Sequence, residues 1–342
     1  MTKKDFWTNS RVAVIGAGSW GTVLAHLASL NCSEVRIWVR DDELAGQINA
    51  TRVNKKYVPE LTLNDRVRAY SDLEKVFDAS SGVQCVIWAL PSSVCRKESF
   101  RLAKHFRGDE LVLHATKGIE EGTLKRVSEV LKEELPTPRI GVISGPNLAH
   151  EVASKQPAAT VVASHFDEVV AAGQALLSSE SFRVYPADDV IGVEWAGTLK
   201  NILAIASGAL DAMGLGWNSR ATLITRGLAE MVRFGMAMGA NQSTFLGLAG
   251  VGDLLATGSS NLSRNYRVGM RLAKGEKLPD ILKDLGSTAE GVRTTQTVYE
   301  FAQSRGIEMP ITGAVYRLVK DGASIKELIP SLMARPSSAA EI

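Results

Sequence analysis

Val12-Ala13-Val14-Ile15-Gly16-Ala17-Gly18-Ser19-Trp20-Gly21-Thr22-Val23-Leu24-Ala25-His26-Leu27-Ala28 is the stretch that decides the fold. A short apolar run feeds a glycine turn, and the turn opens a segment of helical character. That order gives each glycine a task. Gly16 permits the tight turn, Gly18 lets the backbone approach a pyrophosphate, and Gly21 lets the helix pack on the strand while its free N–H groups face the anion. The spacing is that of a dinucleotide-binding turn.

Working outward, a second strand, Val35-Arg36-Ile37-Trp38-Val39, ends at Arg40. Dinucleotide folds usually place an acid there for the adenosine ribose, whereas an arginine suits a 2′-phosphate. Asp41 and Asp42 follow and are able to turn inward, so the expectation is NADPH preferred, with NAD possible. Further buried strands are expected at Val83 to Ala89, Leu111 to Ala115, Ile140 to Ile143, Ala159 to Val162 and Phe182 to Tyr185, separated by helical stretches. This pattern predicts an α/β fold: an N-terminal Rossmann-like, doubly wound, mostly parallel sheet. Ligands of such sheets sit beyond the carboxyl ends of the strands. There the sequence places Leu90-Pro91-Ser92-Ser93, then Thr116-Lys117-Gly118, then Ser144-Gly145-Pro146-Asn147 ahead of a helix opening at Leu148-Ala149-His150-Glu151. Gly145, Asn147 and the following N–H groups read as an anion or hydroxyl site. The plainer alternative is a helix capped by Asn147, with Lys117 an ordinary surface charge.

From about Gly192 strand signals fade, and long apolar-periodic stretches such as Ala221 to Met238 and Val292 to Arg305 predict an all-helical C-terminal domain. The boundaries expected are 1–190 for the dinucleotide-binding domain, 191–335 for the helical substrate domain, and 336–342 for a tail. Within the helical part Lys200 sits in an apolar helix, with Val193, Ala196, Gly197, Ala204, Ser207 and Gly208 as its neighbours at helical spacing. Those residues are nearly all small. A partly desolvated ammonium above them has a lowered pKa and serves as acid or base. The competing reading is close helix packing, with Lys200 reaching water along its stem. Asp253, amid the apolar residues of Gly247 to Thr257, needs a cation, and Lys200 is the candidate partner. Ser263-Arg264-Asn265 puts a hydroxyl, a guanidinium fork and an amide at a helix start, which suits a phosphate monoester.

Composition narrows the classes. The 342-residue chain has 39 Lys plus Arg against 37 Asp plus Glu, a formal charge of +2 that is too balanced for non-specific nucleic-acid binding. There is no signal-type apolar region near Met1 and no run of about 20 apolar residues, so no membrane insertion is expected and a cytoplasmic setting is. Cys32, Cys85 and Cys95 lack metal-ligand spacing, as do the five histidines, and no metal is expected.

With these residues assembled, the chain resembles the bacterial-type NAD(P)-dependent sn-glycerol-3-phosphate dehydrogenase family. The resemblance rests on Gly16 to Gly21 with Trp20, Asn54-Lys55-Lys56-Tyr57-Val58-Pro59, Thr116-Lys117-Gly118, Ser144-Gly145-Pro146, Gly192-Val193-Glu194, Leu199-Lys200-Asn201, Arg226 to Met231, Gly250 to Leu254, Ser263-Arg264-Asn265, Glu290-Gly291 and Met309-Pro310-Ile311. It implies interconversion of dihydroxyacetone phosphate and glycerol 3-phosphate, supplying phospholipid synthesis, with a small phosphorylated triose as partner and a homodimer as the assembly. It further implies that Lys200, with Asp253, carries the proton chemistry. Lys117, Gly145, Asn147, Lys200, Asp253, Ser263, Arg264 and Asn265 line the substrate by the same resemblance. Gly16, Gly18, Ser19, Trp20, Gly21, Arg40, Tyr57, Lys117, Ala149, Arg264, Thr288 and Glu290 border the cofactor. Asn147-Leu148 departs from the Ser or Thr followed by Phe that the family commonly carries. The alternatives are another two-domain dehydrogenase of the 3-hydroxy-acid type and a non-catalytic NADPH-binding regulator.

Overall fold

The computed structural model describes residues 3–78, 82–286 and 289–336. Thr288 and residues 337–342 of the expected tail lie outside the described residues. The described chain forms two compact units: the first runs to Thr116 and resumes over Lys125–Val190, and the second comprises Lys117–Leu124 and the chain from Ile191 onward.

The first unit is built on ten strands: β1 Arg11–Ile15, β2 Glu34–Trp38, β3 Val53–Asn54, β4 Val58–Thr62, β5 Val67–Tyr70, β6 Cys85–Trp88, β7 Leu111–His114, β8 Ile140–Ser144, β9 Ala158–Ser164 and β10 Phe182–Ala187. Eight of them form one sheet in the order β10-β9-β8-β7-β6-β1-β2-β5, while β3 and β4 pair as a separate antiparallel hairpin. All five expected strands and the second strand are present. β1, β6 and β7 are apolar apart from Arg11 at the start of β1 and His114 at the end of β7, because both of their faces are covered: Val12, Val14, Cys85 and Ile87 enter one core, and Ala13, Ile15, Val86 and Trp88 enter the other. Parallel pairing runs through the sheet except at β8 and β9, which are antiparallel from Gly141 opposite Ser164 to Ser144 opposite Val161. β5 and the β3–β4 hairpin are additions to the sequence reading. They are short and half exposed, and Pro59 interrupts the pattern within β4, so no buried-strand period announces them. Strand order turns around at β1, with β2 on one side and β6 on the other, which makes the carboxyl ends of β1 and β6 the switch point of the sheet.

The second unit is helical and centres on the helix Val190–Ala212. Val193, Trp195, Ala196, Leu199, Ile202, Leu203, Ile205 and Ala209 are all buried, so this helix is apolar nearly all round and occupies the middle of its bundle. Gly208 of this helix is a crossing point. A Cβ on Gly208 would stand 1.9 Å from the Tyr266 carbonyl oxygen, and one on Gly269 would stand 1.8 Å from that of Ile205. The helices Val190–Ala212 and Arg264–Ala273 therefore touch backbone to backbone. The small residues of the Lys200 helix thus serve close packing over this turn. The helix Trp217–Ala237 carries Glu230, whose carboxylate accepts hydrogen bonds from the N–H groups of Ile311 at 2.5 Å and Thr312 at 3.1 Å and caps the helix Pro310–Tyr316. Burial pushes the Glu230 carboxyl up to about 7 against those donors. No helix among the described residues is long and apolar enough to cross a membrane.

Candidate active site

In the first unit the glycine turn sits at the switch point. Gly16 has φ +114°, and a Cβ there would meet the Ala89 carbonyl oxygen at 2.8 Å; a Cβ on Gly21 would lie 2.0 Å from the Gly16 oxygen. Nothing stands within 4 Å of the Cβ position of Gly18, and no side chain caps the eleven-residue helix Ser19–Ser29 that follows. An open backbone ahead of an uncapped helix N-terminus fits a dinucleotide pyrophosphate, whose charge the N–H groups and helix dipole accommodate. Ser19 donates its hydroxyl to the Tyr57 carbonyl at 3.1 Å, and the Trp20 ring packs 6.1 Å from that of Phe182. The Tyr57 ring is partly exposed beside the ammonium of Lys56.

Arg40 is exposed and makes no ion pair among the described residues. Its two acidic neighbours are committed elsewhere. Asp41 caps the helix Asp42–Thr51 by accepting from the N–H groups of Glu43 and Leu44, and Asp42 accepts the Ser71 hydroxyl at 2.6 Å. Ala149 opens the short helix Ala149–Ala153, which packs on the helix Ser19–Ser29 and on β4, with His150 Nδ1 2.5 Å from a Glu60 oxygen. Gly145 adopts φ +155° against β9. The Asn147 side chain donates to the Ala159 carbonyl at 3.1 Å and accepts the Thr160 hydroxyl at 2.8 Å, so its amide is engaged with that strand; it does not cap the helix Ala149–Ala153, whose N-cap is Leu148 without a side-chain cap.

In the second unit three charged side chains converge. Lys200 Nζ donates to Asp253 Oδ1 at 2.9 Å and to Thr257 Oγ1 at 2.5 Å, Thr257 Oγ1 donates to Asp253 Oδ1 at 3.0 Å, and Lys117 Nζ donates to Asp253 Oδ2. Lys200 is 5% exposed and Asp253 2% exposed, so the partly desolvated ammonium expected from the sequence is a lysine enclosed with its counter-ion. Burial pulls the Lys200 amine down to about 8; the Asp253 charge opposes that fall and the positive Lys117 adds to it. For Asp253 burial works in the raising direction, but the ammonium groups of Lys117 and Lys200 hold its carboxyl below the usual range. Two ammonium groups on one carboxylate leave a net positive centre suited to an anionic substrate.

Local structure explains this meeting. The π-helical segment Leu248–Gly252 runs directly into the helix Asp253–Gly258, so Asp253 is fixed where the wider turn tightens into an α-helix. Gly250 lets this segment lie on the preceding one, since a Cβ there would stand 2.0 Å from the Phe245 carbonyl oxygen. Thr257, which received no role from the sequence, is four residues beyond Asp253 on the same helix face; that spacing was the available signal. Ser263 caps the helix Arg264–Ala273 by accepting from the Tyr266 N–H at 3.3 Å. Asn265 Oδ1 accepts from the Gly291 N–H at 3.1 Å in the first turn of the helix Glu290–Ser304. Asn265 Oδ1 and the Asn201 carbonyl oxygen would both crowd a Cβ on Gly291, so the segment after Lys200 and the Ser263-Arg264-Asn265 cluster meet over one glycine.

A glycine turn at the switch point of a parallel sheet, with a buried lysine–carboxylate pair on a helical unit, defines the class of nicotinamide-dependent dehydrogenases. The family model described as the NAD-dependent glycerol-3-phosphate dehydrogenase N-terminus matches residues 11–170, and that described as the C-terminus matches residues 189–330. The chain is 42% identical over 329 residues to a glycerol-3-phosphate dehydrogenase [NAD(P)+] of Streptococcus suis, covering 95% of this chain and 96% of the relative. It is 44% identical over 329 residues to the protein of the same name from Bacillus cytotoxicus, covering 95% and 96%. The crystal structure of glycerol-3-phosphate dehydrogenase from Coxiella burnetii superposes with a TM-score of 0.89 at 36% identity, covering 96% of this chain and all of that one. The chain belongs to the NAD-dependent glycerol-3-phosphate dehydrogenase family.

Proposed function

We propose that this protein reversibly reduces dihydroxyacetone phosphate to sn-glycerol 3-phosphate, with NADPH preferred over NADH and Lys200 as the general acid. The observation that carries the reading is the enclosed Lys200–Asp253 pair, whose burial pulls the amine down to about 8. When bound, the reduced nicotinamide supplies the hydride for the carbonyl carbon. Lys200, as ammonium, protonates the oxygen that becomes negative during reduction, and as free amine it takes that proton back in oxidation. Asp253 and Thr257 orient the Lys200 nitrogen, so the proton is offered from a fixed position. Lys117 and Arg264 add positive charge for the phosphate dianion, with Ser263 and Asn265 as neutral partners. In the first unit Gly145 and Asn147 are the candidates for substrate contact and Ser19, Trp20, Tyr57 and Ala149 those for cofactor contact; in the second unit Glu290 is a candidate for the cofactor.

The NADPH preference is supported by the exposed Arg40, which makes no ion pair among the described residues, and by the local hydrogen bonds that Asp41 and Asp42 make. The product supplies glycerophospholipid synthesis in the cytoplasm. The test follows cofactor absorbance with dihydroxyacetone phosphate, using NADPH and NADH in parallel. Oxidation of both, faster with NADPH at low cofactor concentration, is the expected result. Turnover of a 3-oxo acid with none of dihydroxyacetone phosphate would overturn the proposal in favour of a hydroxy-acid dehydrogenase, and no turnover of either would favour a silent binder.

A further inference from the structure

We propose that Asn54 is a positioning residue for the cofactor: its amide, set in the β3–β4 hairpin, holds the glycine turn in the shape that receives a pyrophosphate. Asn54 is 0% exposed. Its Nδ2 donates to the Ala17 carbonyl at 2.9 Å and to the Thr22 hydroxyl at 2.8 Å. Ala17 lies between Gly16 and Gly18, and Thr22 follows Gly21, so the two protons of one amide span the segment that carries Gly18 and Gly21. The same hairpin supplies a second tie, the Tyr57 carbonyl that accepts the Ser19 hydroxyl.

The amide is kept at a cost. Asn54 Oδ1 is buried without a hydrogen-bond partner among the described residues, and an unsatisfied amide oxygen is unfavourable enough that a side chain serving packing alone would be better apolar. The donors are what the position supplies. Without them the Ala17 carbonyl retains only the weak contact from the Thr22 hydroxyl at 3.4 Å, and the peptide between Ala17 and Gly18 is free to rotate. That peptide carries the Gly18 N–H at the open part of the cradle. A turn held in its binding shape before the ligand arrives does not have to be ordered by the ligand, and the difference appears in affinity.

This inference rests on the glycine turn taking the cofactor. The test titrates NADPH by fluorescence into the full chain and its Asn54→Asp, Thr22→Val and Gly18→Val variants, with kcat and the KM for dihydroxyacetone phosphate measured at saturating NADPH and thermal unfolding recorded for each. Asn54→Asp preserves shape but turns a carboxylate oxygen toward the Ala17 carbonyl, which can only accept; Thr22→Val removes the hydroxyl that accepts the other amide proton. Asn54→Asp is expected to weaken NADPH binding about tenfold or more and Thr22→Val by roughly threefold to tenfold, in proportion to the hydrogen bonds lost. At saturating cofactor kcat and the substrate KM stay within about twofold, a split that lowered stability alone does not produce. Gly18→Val, which fills the open cradle, is expected to abolish binding. Unchanged NADPH affinity in folded Asn54→Asp alongside loss of binding in Gly18→Val overturns the role of Asn54 and leaves the cradle standing. Unchanged affinity in both takes the cradle down with it. Should Asn54→Asp not fold, Thr22→Val decides by the same comparison.

Discussion

Lys200 Nζ stands 2.9 Å from Asp253 Oδ1, across 53 residues of chain, and Asp253 is in turn bonded to Lys117 on its other oxygen. One buried carboxylate thus serves two ammonium groups, and removing either lysine leaves it paired. Lys200→Ala is expected to keep the fold and lower kcat by about 10²-fold to 10⁴-fold, the range for a positioned acid or base. Steady-state kinetics with circular dichroism checks this; near-normal turnover would remove Lys200 from the chemistry.

The pH profile follows from the lowered amine. With Lys200 as the proposed acid, reduction requires its ammonium form, so kcat/KM is expected to be level at low pH and to fall above about 8. Oxidation needs the free amine and rises toward a plateau above the same value. A bound phosphate dianion stabilises the ammonium, so the break in kcat lies higher than that in kcat/KM. Asp253→Asn takes away the charge that supports the ammonium and moves the kcat/KM break downward, and a profile that stays put in this variant contradicts the coupling.

Arg40→Ala is expected to weaken NADPH by about 1.5–3 kcal/mol, the worth of a charged hydrogen bond, with little change for NADH. Parallel titration of the two cofactors measures the difference. Equal losses for both would place Arg40 away from the 2′-phosphate.

Arg264→Ala is expected to cost about 1.5–3 kcal/mol in kcat/KM for dihydroxyacetone phosphate while leaving NADPH affinity less affected. An unchanged kcat/KM contradicts its role on the phosphate.

Gly269→Ala places a methyl 1.8 Å from the Ile205 carbonyl oxygen, where backbone rather than a flexible side chain must yield. A loss of about 3 kcal/mol or more in chemical denaturation is expected, at the upper end of overpacking. A stability within about 0.5 kcal/mol of the parent would mean that the two helices separate freely.

What the sequence alone determined was local or periodic. Gly16, Gly18 and Gly21 act through their own backbone and near neighbours, and the runs at β1, β6 and β7 are apolar on both faces, so the parallel sheet and its switch-point turn were legible. The change to helical periodicity near Gly192 was legible for the same reason. Asp253 announced its need for a cation, and Lys200 as its partner followed from the cost of burying either alone.

Tertiary structure decided the rest. Lys117 reaches Asp253 over 136 residues, and no spacing rule spans that distance. The small residues beside Lys200 were compatible with an open groove or with close packing; the backbone contact of Gly208 with Tyr266 shows packing there, and enclosure of the lysine sets its pKa. The antiparallel turn of β9 against β8, the short strand β5 and the strut from Asn54 to Ala17 and Thr22 left no periodic trace. Burial, direction of pairing and the partners of a polar atom are properties of chain segments brought together from afar, whereas periodicity records only which side of one segment faces away from water.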